Sequence, residues 1–489
     1  MIIKRFIAII LVLILALACV GCSDSGSSSI IYFGVNEPPK TIDPQSAGSV
    51  TELMLVKNLY EGLMRKDIEG NIVNGVIENY SKQGDTYTFT IKDNAVWNDG
   101  TPLTASDFKF GISRALDPKT HSPNADCLYG IKNAKDIHSG KMNAANLGVT
   151  VIDEHTLKIE AEAGADILYA LTTAPAMPCN EDFFEKSVGK YGMSFDTVLC
   201  NGSYKMRKWA TEDFAMRIIK NTNYTGNFVA KNAAVYFSKN KDYTNLECLE
   251  KNYVDLAEMP TTDYAKAKDK GYKLTTLNNK ILIIGLGPSY TKSMRNALFS
   301  SLIAKEDFSG FNSSYKYANT LFPEFFGFGD LKDINIYNPQ SAKTLYNVEI
   351  KKFDNAAFPT DTIYFYGDGD TSDIVKCIAG HWQQNLGTYI NIAAAESNGI
   401  AKSYAENGYG IGVYFVEINE KNTNQYLENF SFPATLKNDN NNLQNYIFGN
   451  SYKIPISFFG SCFAYTDELQ NLQIDSIGGS IDFSYIIKE

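Results

Sequence analysis

Apolar and polar residues alternate over Tyr87–Ile91 and again over Leu157–Glu160, the spacing of strands with one buried face. Leu53, Val56, Leu59, Tyr60 and Leu63 recur at helical spacing and predict a helix running to about Gly62. Phe108, Ile112 and Leu116 predict a second helix, opened by Thr104-Ala-Ser-Asp107 as a capping box. Short apolar runs at Ile31–Val35, Ile281–Leu286, Thr362–Tyr366, Gly412–Val416 and Ile454–Phe459 predict buried strands, and Tyr389–Ile392 a further one. Ile374, Ile378, Trp382 and Leu386 share one face of a predicted helix, with Thr371 or Ser372 as its N-cap. Strand and helix thus alternate in this half, the pattern of an α/β lobe. The polar run Asn438–Asn445 predicts a surface loop.

The N-terminus carries Lys4 and Arg5, then an unbroken apolar run over Phe6–Ala18, too short to span a bilayer and suited to a signal peptide. Cys19-Val-Gly-Cys22 and a Ser/Gly-rich stretch follow. The order resembles a bacterial lipoprotein signal: residues 1–21 as signal peptide, Cys22 as the lipidated residue, and 22–30 as a flexible tether. Cys19 is the alternative lipidation site, and an ordinary secretory peptide the alternative reading. The expected location is the extracytoplasmic face of the cell membrane, anchored rather than spanning.

A chain of 489 residues predicts two or three lobes. With 30 Tyr, 29 Phe and a net charge of −10, both global disorder and nucleic-acid binding are excluded. The four His residues are scattered and no Cys-x-x-Cys occurs, so no metal is expected. Cys127, Cys179, Cys200, Cys248, Cys377 and Cys462 follow Cys22. Cys179 and Cys200 are the candidates for a disulfide, with buried free thiols the alternative. There is no Gly-x-Ser-x-Gly, HExxH or P-loop, and Asp368, Asp370 and Asp373 do not fit an EF-hand. No catalytic residue and no cofactor are expected, and the chain does not read as an enzyme.

Several runs resemble bacterial extracellular solute-binding proteins of family 5, the oligopeptide, dipeptide and nickel receptors of ABC importers. Glu37-Pro-Pro-Lys-Thr-Ile-Asp43-Pro44 is similar to the opening EPxTLDP, and Asn58-Leu-Tyr-Glu-Gly-Leu63 to NLYEGL. Trp97-Asn-Asp-Gly-Thr-Pro-Leu-Thr-Ala-Ser-Asp-Phe108 is similar to WSDGTPVTAEDF, Asn201-Gly-Ser-Tyr204 to NGPY, Trp382-Gln-Gln-Asn-Leu-Gly387 to WQENLG, and Ile454–Gly460 to IPLYYYG. The order holds over nearly the whole chain, and the details favour the oligopeptide branch. The resemblance implies a two-lobed α/β fold of the periplasmic-binding-protein type (class II, cluster C). One discontinuous lobe would comprise 31–75, 196–279 and 452–489, an inserted subdomain 76–195, and the other lobe 280–451, with ligand closing a hinge.

It further implies a monomer that captures oligopeptides and delivers them to permease subunits. Another small solute (a nickel chelate or oligosaccharide), or a receptor that has lost transport, is the alternative. By the same resemblance Val50 pairs with the ligand backbone. Glu417 takes its α-amino group, with Glu420 as fallback, and Tyr414 and Phe415 supply main chain and an aromatic wall. The chain departs from the family in five places: only about Asn429–Lys453 stands where a long helical stretch is usual, the helix after Met294 lacks the usual FNDVRVRxAL lead-in, and three motifs are altered. Asn221-Thr-Asn-Tyr224-Thr lacks the Trp of NPxYW, Val416-Glu417-Ile418-Asn419-Glu420-Lys421 replaces ADYxDP, and Ser397-Asn398 stands where an aromatic usually lines the cleft.

Overall fold

The computed structural model describes residues 29–210, 214–226, 230–311, 314–323, 331–353, 362–367, 369–407, 410–418, 426–436, 439–475 and 479–489. The signal segment, Cys19, Cys22, Asp368, Glu420 and Lys421 lie outside them.

Two mixed sheets carry the two lobes. A seven-stranded sheet runs in the order Lys273–Thr276, Cys462–Tyr465, Leu256–Met259, Ile30–Gly34, Ala234–Ser238, Ala215–Lys220, Tyr204–Ala210. A six-stranded sheet runs Lys316–Tyr317, Lys453–Phe459, Lys280–Leu286, Ile411–Glu417, Thr362–Phe365, Asn391–Ala394. A four-stranded antiparallel sheet (Ile77–Gln83, Thr86–Ile91, Thr156–Glu160, Val149–Val151) forms the inserted part. Along Thr86–Ile91 burial alternates as the sequence pattern requires, with Tyr87, Phe89 and Ile91 inside.

The inserted sheet shares its hydrophobic core with the first lobe: Phe89, Trp97 and Phe108 belong to one cluster with Phe33, Leu59 and Tyr204. The second lobe has a separate core around Ile283, Leu298, Trp382, Tyr414 and Ile447. Trp382 is fully buried, and its indole Nε1 donates to Leu298 O at 2.9 Å.

The family-like motifs serve this architecture. Asn58 donates to Met54 O and Ile481 O and accepts from Phe483 N, pinning the C-terminal segment to the first lobe. Trp97 Nε1 donates to Asp107, whose carboxylate also accepts from Thr104 N to close the expected capping box. Gly100 sits at φ 92°, in the left-handed region that favours glycine.

Several expectations need correction. The return to the first lobe does not begin at 452. Lys453–Phe459 is still a strand of the second lobe, paired with Lys280–Leu286, and the chain crosses back at Gly460–Ser461. The first helix, Val50–Leu59, stops short of Gly62 because Tyr60 is extended and Glu61 N donates instead to Asn201 Oδ1. The helix Gly369–Leu386 starts before Thr371 and Ser372, so neither caps it. Thr371 instead lies buried, its hydroxyl 3.2 Å from that of Tyr315. The strand expected over Tyr389–Ile392 is shifted to Asn391–Ala394. The polar run expected as a loop is mostly the helix Asn440–Asn450, capped by Asp439 and anchored by buried Leu443 and Ile447. Cys179 and Cys200 are both buried free thiols rather than a disulfide, and burial pushes each up to about 12.

Candidate functional site

Within the second lobe Ile411–Glu417 is a central strand. Lys280–Leu286 pairs with it along its whole length, Lys280 opposite Glu417 and Ile283 opposite Tyr414. On its other side Thr362–Phe365 reaches only as far as Val413, and Tyr366 N donates to Val413 O at 3.0 Å. Alternate residues of a strand turn their N–H and C=O to opposite neighbours. Phe415 therefore presents both groups to the edge that Thr362–Phe365 has left. A side-chain amide stands there. Asn398 Nδ2 donates to Phe415 O at 2.8 Å, and Phe415 N donates to Asn398 Oδ1 at 2.9 Å. Asn398 opens the helix Asn398–Glu406, which Ser397 caps by accepting from Ile400 N.

Of the residues singled out in sequence, Tyr414, Phe415 and Glu417 thus share one strand end but differ in what they offer. The Tyr414 side chain is fully buried in the lobe core, leaving only main chain. Phe415 is half-buried in an aromatic row: its ring lies 6.0 Å from Tyr366 and 6.2 Å, edge-on, from Phe459, which stacks on Tyr315 at 4.6 Å. Glu417 is exposed, with 73% of its side chain accessible, and its carboxylate is 3.6 Å from Lys280 Nζ. Lys280 also lies 5.0 Å over the Phe415 ring. The strand end therefore offers a carboxylate, an ammonium and an aromatic face beside a hydrogen-bonding edge.

In the first lobe Val50 is the opening residue of its helix, N-capped by Ser49. It sits beside the crossing between lobes, because a Cβ built on Gly479 would meet both Val50 Cγ1 at 2.8 Å and Leu277 Cδ1 at 2.7 Å. Two carboxylates fix the approach to Val50. Glu52 accepts from Lys40 N (2.9 Å) and Thr41 N (3.3 Å) on one oxygen and from Gly48 N (2.9 Å) and Ser49 N (3.0 Å) on the other. Burial raises the Glu52 pKa, but these four donors outweigh it and hold the carboxyl below its usual range. Asp43 is gripped from the inserted part by Arg114, with Nη2 to Oδ2 at 2.7 Å and Nη1 to Oδ1 at 3.3 Å, and the guanidinium lies 3.9 Å over the Phe184 ring.

Sequence reasoning missed Lys280 and Glu52, and marked Asn398 only as lacking the usual cleft aromatic, not as the group that covers Phe415. Ser49-x-x-Glu52 is a legible capping box; Asn398 and Lys280 meet their partners only through tertiary pairing. A separate cavity of about 340 Å³ lies on the first lobe, lined by Lys57, Lys66, Asp67, Asp475 and Tyr485 among others, and touches none of the residues singled out.

The sequence matches the family described as "Bacterial extracellular solute-binding proteins, family 5 Middle" over residues 71–438. It is 36% identical over 197 residues to the periplasmic murein peptide-binding protein MppA of Escherichia coli, a stretch covering 40% of this chain but only 36% of that relative. It is 28% identical over 393 residues to the periplasmic oligopeptide-binding protein OppA of Salmonella typhimurium, covering 73% of this chain and 69% of the relative. The fold is similar to the unliganded open form of MppA, with a TM-score of 0.76 at 20% identity over 94% of this chain and 98% of that one. It is also similar to Listeria monocytogenes OppA bound to peptide, with a TM-score of 0.70 at 19% identity over 94% and 99%.

Proposed function

We propose that this chain, which belongs to the bacterial extracellular solute-binding proteins of family 5, captures oligopeptides between its two lobes and hands them to the permease of an ABC importer. The observation that carries the reading is the edge at Phe415, where an amide group already hydrogen-bonds the main chain as a neighbouring strand would. An extended peptide offers the same N–H and C=O pattern whatever its side chains, so strand addition suits a receptor of broad specificity. Val50, in the facing lobe, offers a second main-chain contact. Glu417 takes the peptide's α-amino group, for which Lys280 is the resident stand-in. The names of the relatives, a murein peptide receptor and oligopeptide receptors, support the same solute class. Among the described residues no helix is long and apolar enough to cross a membrane, and membrane attachment at the extracytoplasmic face is assigned to lipid on Cys22 of a monomer.

The test is calorimetric titration of the full chain in detergent with pools of short peptides, free or N-acetylated. Free peptides should bind and acetylated ones should bind more weakly. Because Glu417 is largely exposed and already paired, Glu417→Ala should weaken binding by at most roughly fivefold. Acetylation should add little to that loss. If no peptide pool binds, the solute class is wrong; if acetylation is without effect, the amine is not read at Glu417. Cys22→Ala should move the protein out of the detergent phase.

A further inference from the structure

The second lobe holds a group of side chains that peptide capture does not use. On the helix Gly369–Leu386, Cys377 and His381 stand one turn apart, a spacing that puts both on one face. Cys377 Sγ is 3.9 Å from His381 Nε2. Asp307, from the short 3-10 helix Lys305–Gly310, brings Oδ2 to 3.5 Å from the same nitrogen. The three donor atoms all lie within 4.8 Å of one another. These contacts are long and weak, and Asp307 Oδ2 is steadied by a 2.7 Å hydrogen bond from Ala304 N.

A tetrahedral zinc ion, with Zn–S near 2.3 Å and Zn–N and Zn–O near 2.0–2.1 Å, sets its ligand atoms roughly 3.3–3.6 Å apart. The Sγ–Nε2 and Nε2–Oδ2 separations reach that with shifts of a few tenths of an ångström, and the thiol and carboxylate, within 4.8 Å of each other, close on the ion as it binds. The imidazole and carboxylate are 17% and 28% exposed, enough for an ion to enter and for water to complete its shell. On the far side the Tyr337 ring packs against the imidazole at 5.4 Å, and Asn385 Nδ2 in turn donates to the Tyr337 hydroxyl.

We propose that Cys377, His381 and Asp307 form a binding site for one soft divalent cation of the Zn²⁺ class, tying the 305–310 segment to the long helix of the second lobe. Thiolate and imidazole select zinc over calcium or magnesium, which favour oxygen donors alone. Cys-x-x-x-His is neither a His pair nor a Cys-x-x-Cys, and the aspartate comes from a distant segment, so the site is hidden from a search for contiguous motifs.

The site is tested by titrating the reduced full chain, stripped of metal and kept anaerobic, with Co²⁺. The expected result is a near-ultraviolet thiolate-to-cobalt band saturating at one equivalent and abolished by Zn²⁺. Cys377→Ser should remove the band, His381→Gln should weaken binding at least tenfold, and Cys127→Ser, altering the other partly exposed thiol among the described residues, should leave it intact. Far-ultraviolet dichroism of each variant separates loss of the site from loss of the fold. The wild type alone is decisive: no saturable thiolate band overturns the assignment, as does a band that survives in folded Cys377→Ser.

Discussion

Asn398 and Phe415 make the smallest testable unit of the peptide reading. If a ligand strand pairs with Phe415, it must first displace an amide that holds the same two groups. Each such bond contributes about 0.5–1.5 kcal/mol net. Removing the competitor in Asn398→Ala relieves about 1–3 kcal/mol and should therefore tighten peptide binding by roughly five- to 150-fold, read by calorimetry, with a small loss of melting temperature. Unchanged or weaker binding would place the ligand elsewhere. Val50 is open to an equally local test. Val50 is the first residue of its helix, and its N–H is one the helix leaves without an internal partner. Ser49 before it is extended (φ −79°, ψ 159°), as a residue preceding proline must be. Val50→Pro is thus compatible with the fold. It should leave the melting temperature unchanged and lower peptide affinity several-fold if that N–H meets the ligand. The sequence could point to Val50 and Phe415, which lie in motif-bearing stretches. It could not show that Asn398 covers Phe415, because that contact exists only once a helix and a strand have packed.

At the scale of elements, patterning was legible where one face of a helix or strand is apolar and the other polar. Thr86–Ile91, the helix Ala105–Leu116 and the register of Ile374, Ile378 and Trp382 follow directly from it. The helix Asn440–Asn450 was illegible because its opening is almost wholly Asn and its buried stripe is narrow, chiefly Leu443, Ile447 and Phe448. Glu52 shows how one element end organises a whole loop. Its carboxylate gathers four backbone N–H groups that would otherwise lie unpaired ahead of the helix. Gln would present an amide N–H₂ to donors, so Glu52→Gln should cost about 2–4 kcal/mol at neutral pH. Its folded pKa is lowered from 4.5. The stabilisation is thus fully present above that value and is lost as pH falls through the lower, folded one. Denaturant melts of wild type and variant should differ most at neutral pH and converge in acid. A constant gap down to strongly acidic pH would deny the carboxylate this role.

For the whole molecule, the order of motifs predicted two lobes and an insertion, but not which sheet each late strand joins. Ile454–Phe459 is apolar enough for either sheet, and its partner Lys280–Leu286 is chosen by tertiary pairing, which local pattern does not encode. That choice places the two crossings between lobes, at Leu277–Asn279 and Gly460–Ser461, side by side, with Leu277 N donating to Ser461 O at 2.9 Å. Any closure of one lobe on the other must bend this pair together. Gly460 is what allows the strands to approach: a Cβ there would fall 2.4 Å from Leu277 O and 2.5 Å from Asn279 Oδ1. Backbone and side chain would both have to give, which overpacking data put at about 1–3 kcal/mol. Because the inserted sheet shares the first lobe's core while the second lobe has its own, strain at the crossings falls on the relation between the lobes rather than within either. Gly460→Ala should therefore lower the melting temperature and blunt the contraction that peptide induces, measured as a fall in the radius of gyration by small-angle scattering. A variant that melts and contracts as the wild type does would show that the crossings are not the close-packed hinge inferred from their geometry.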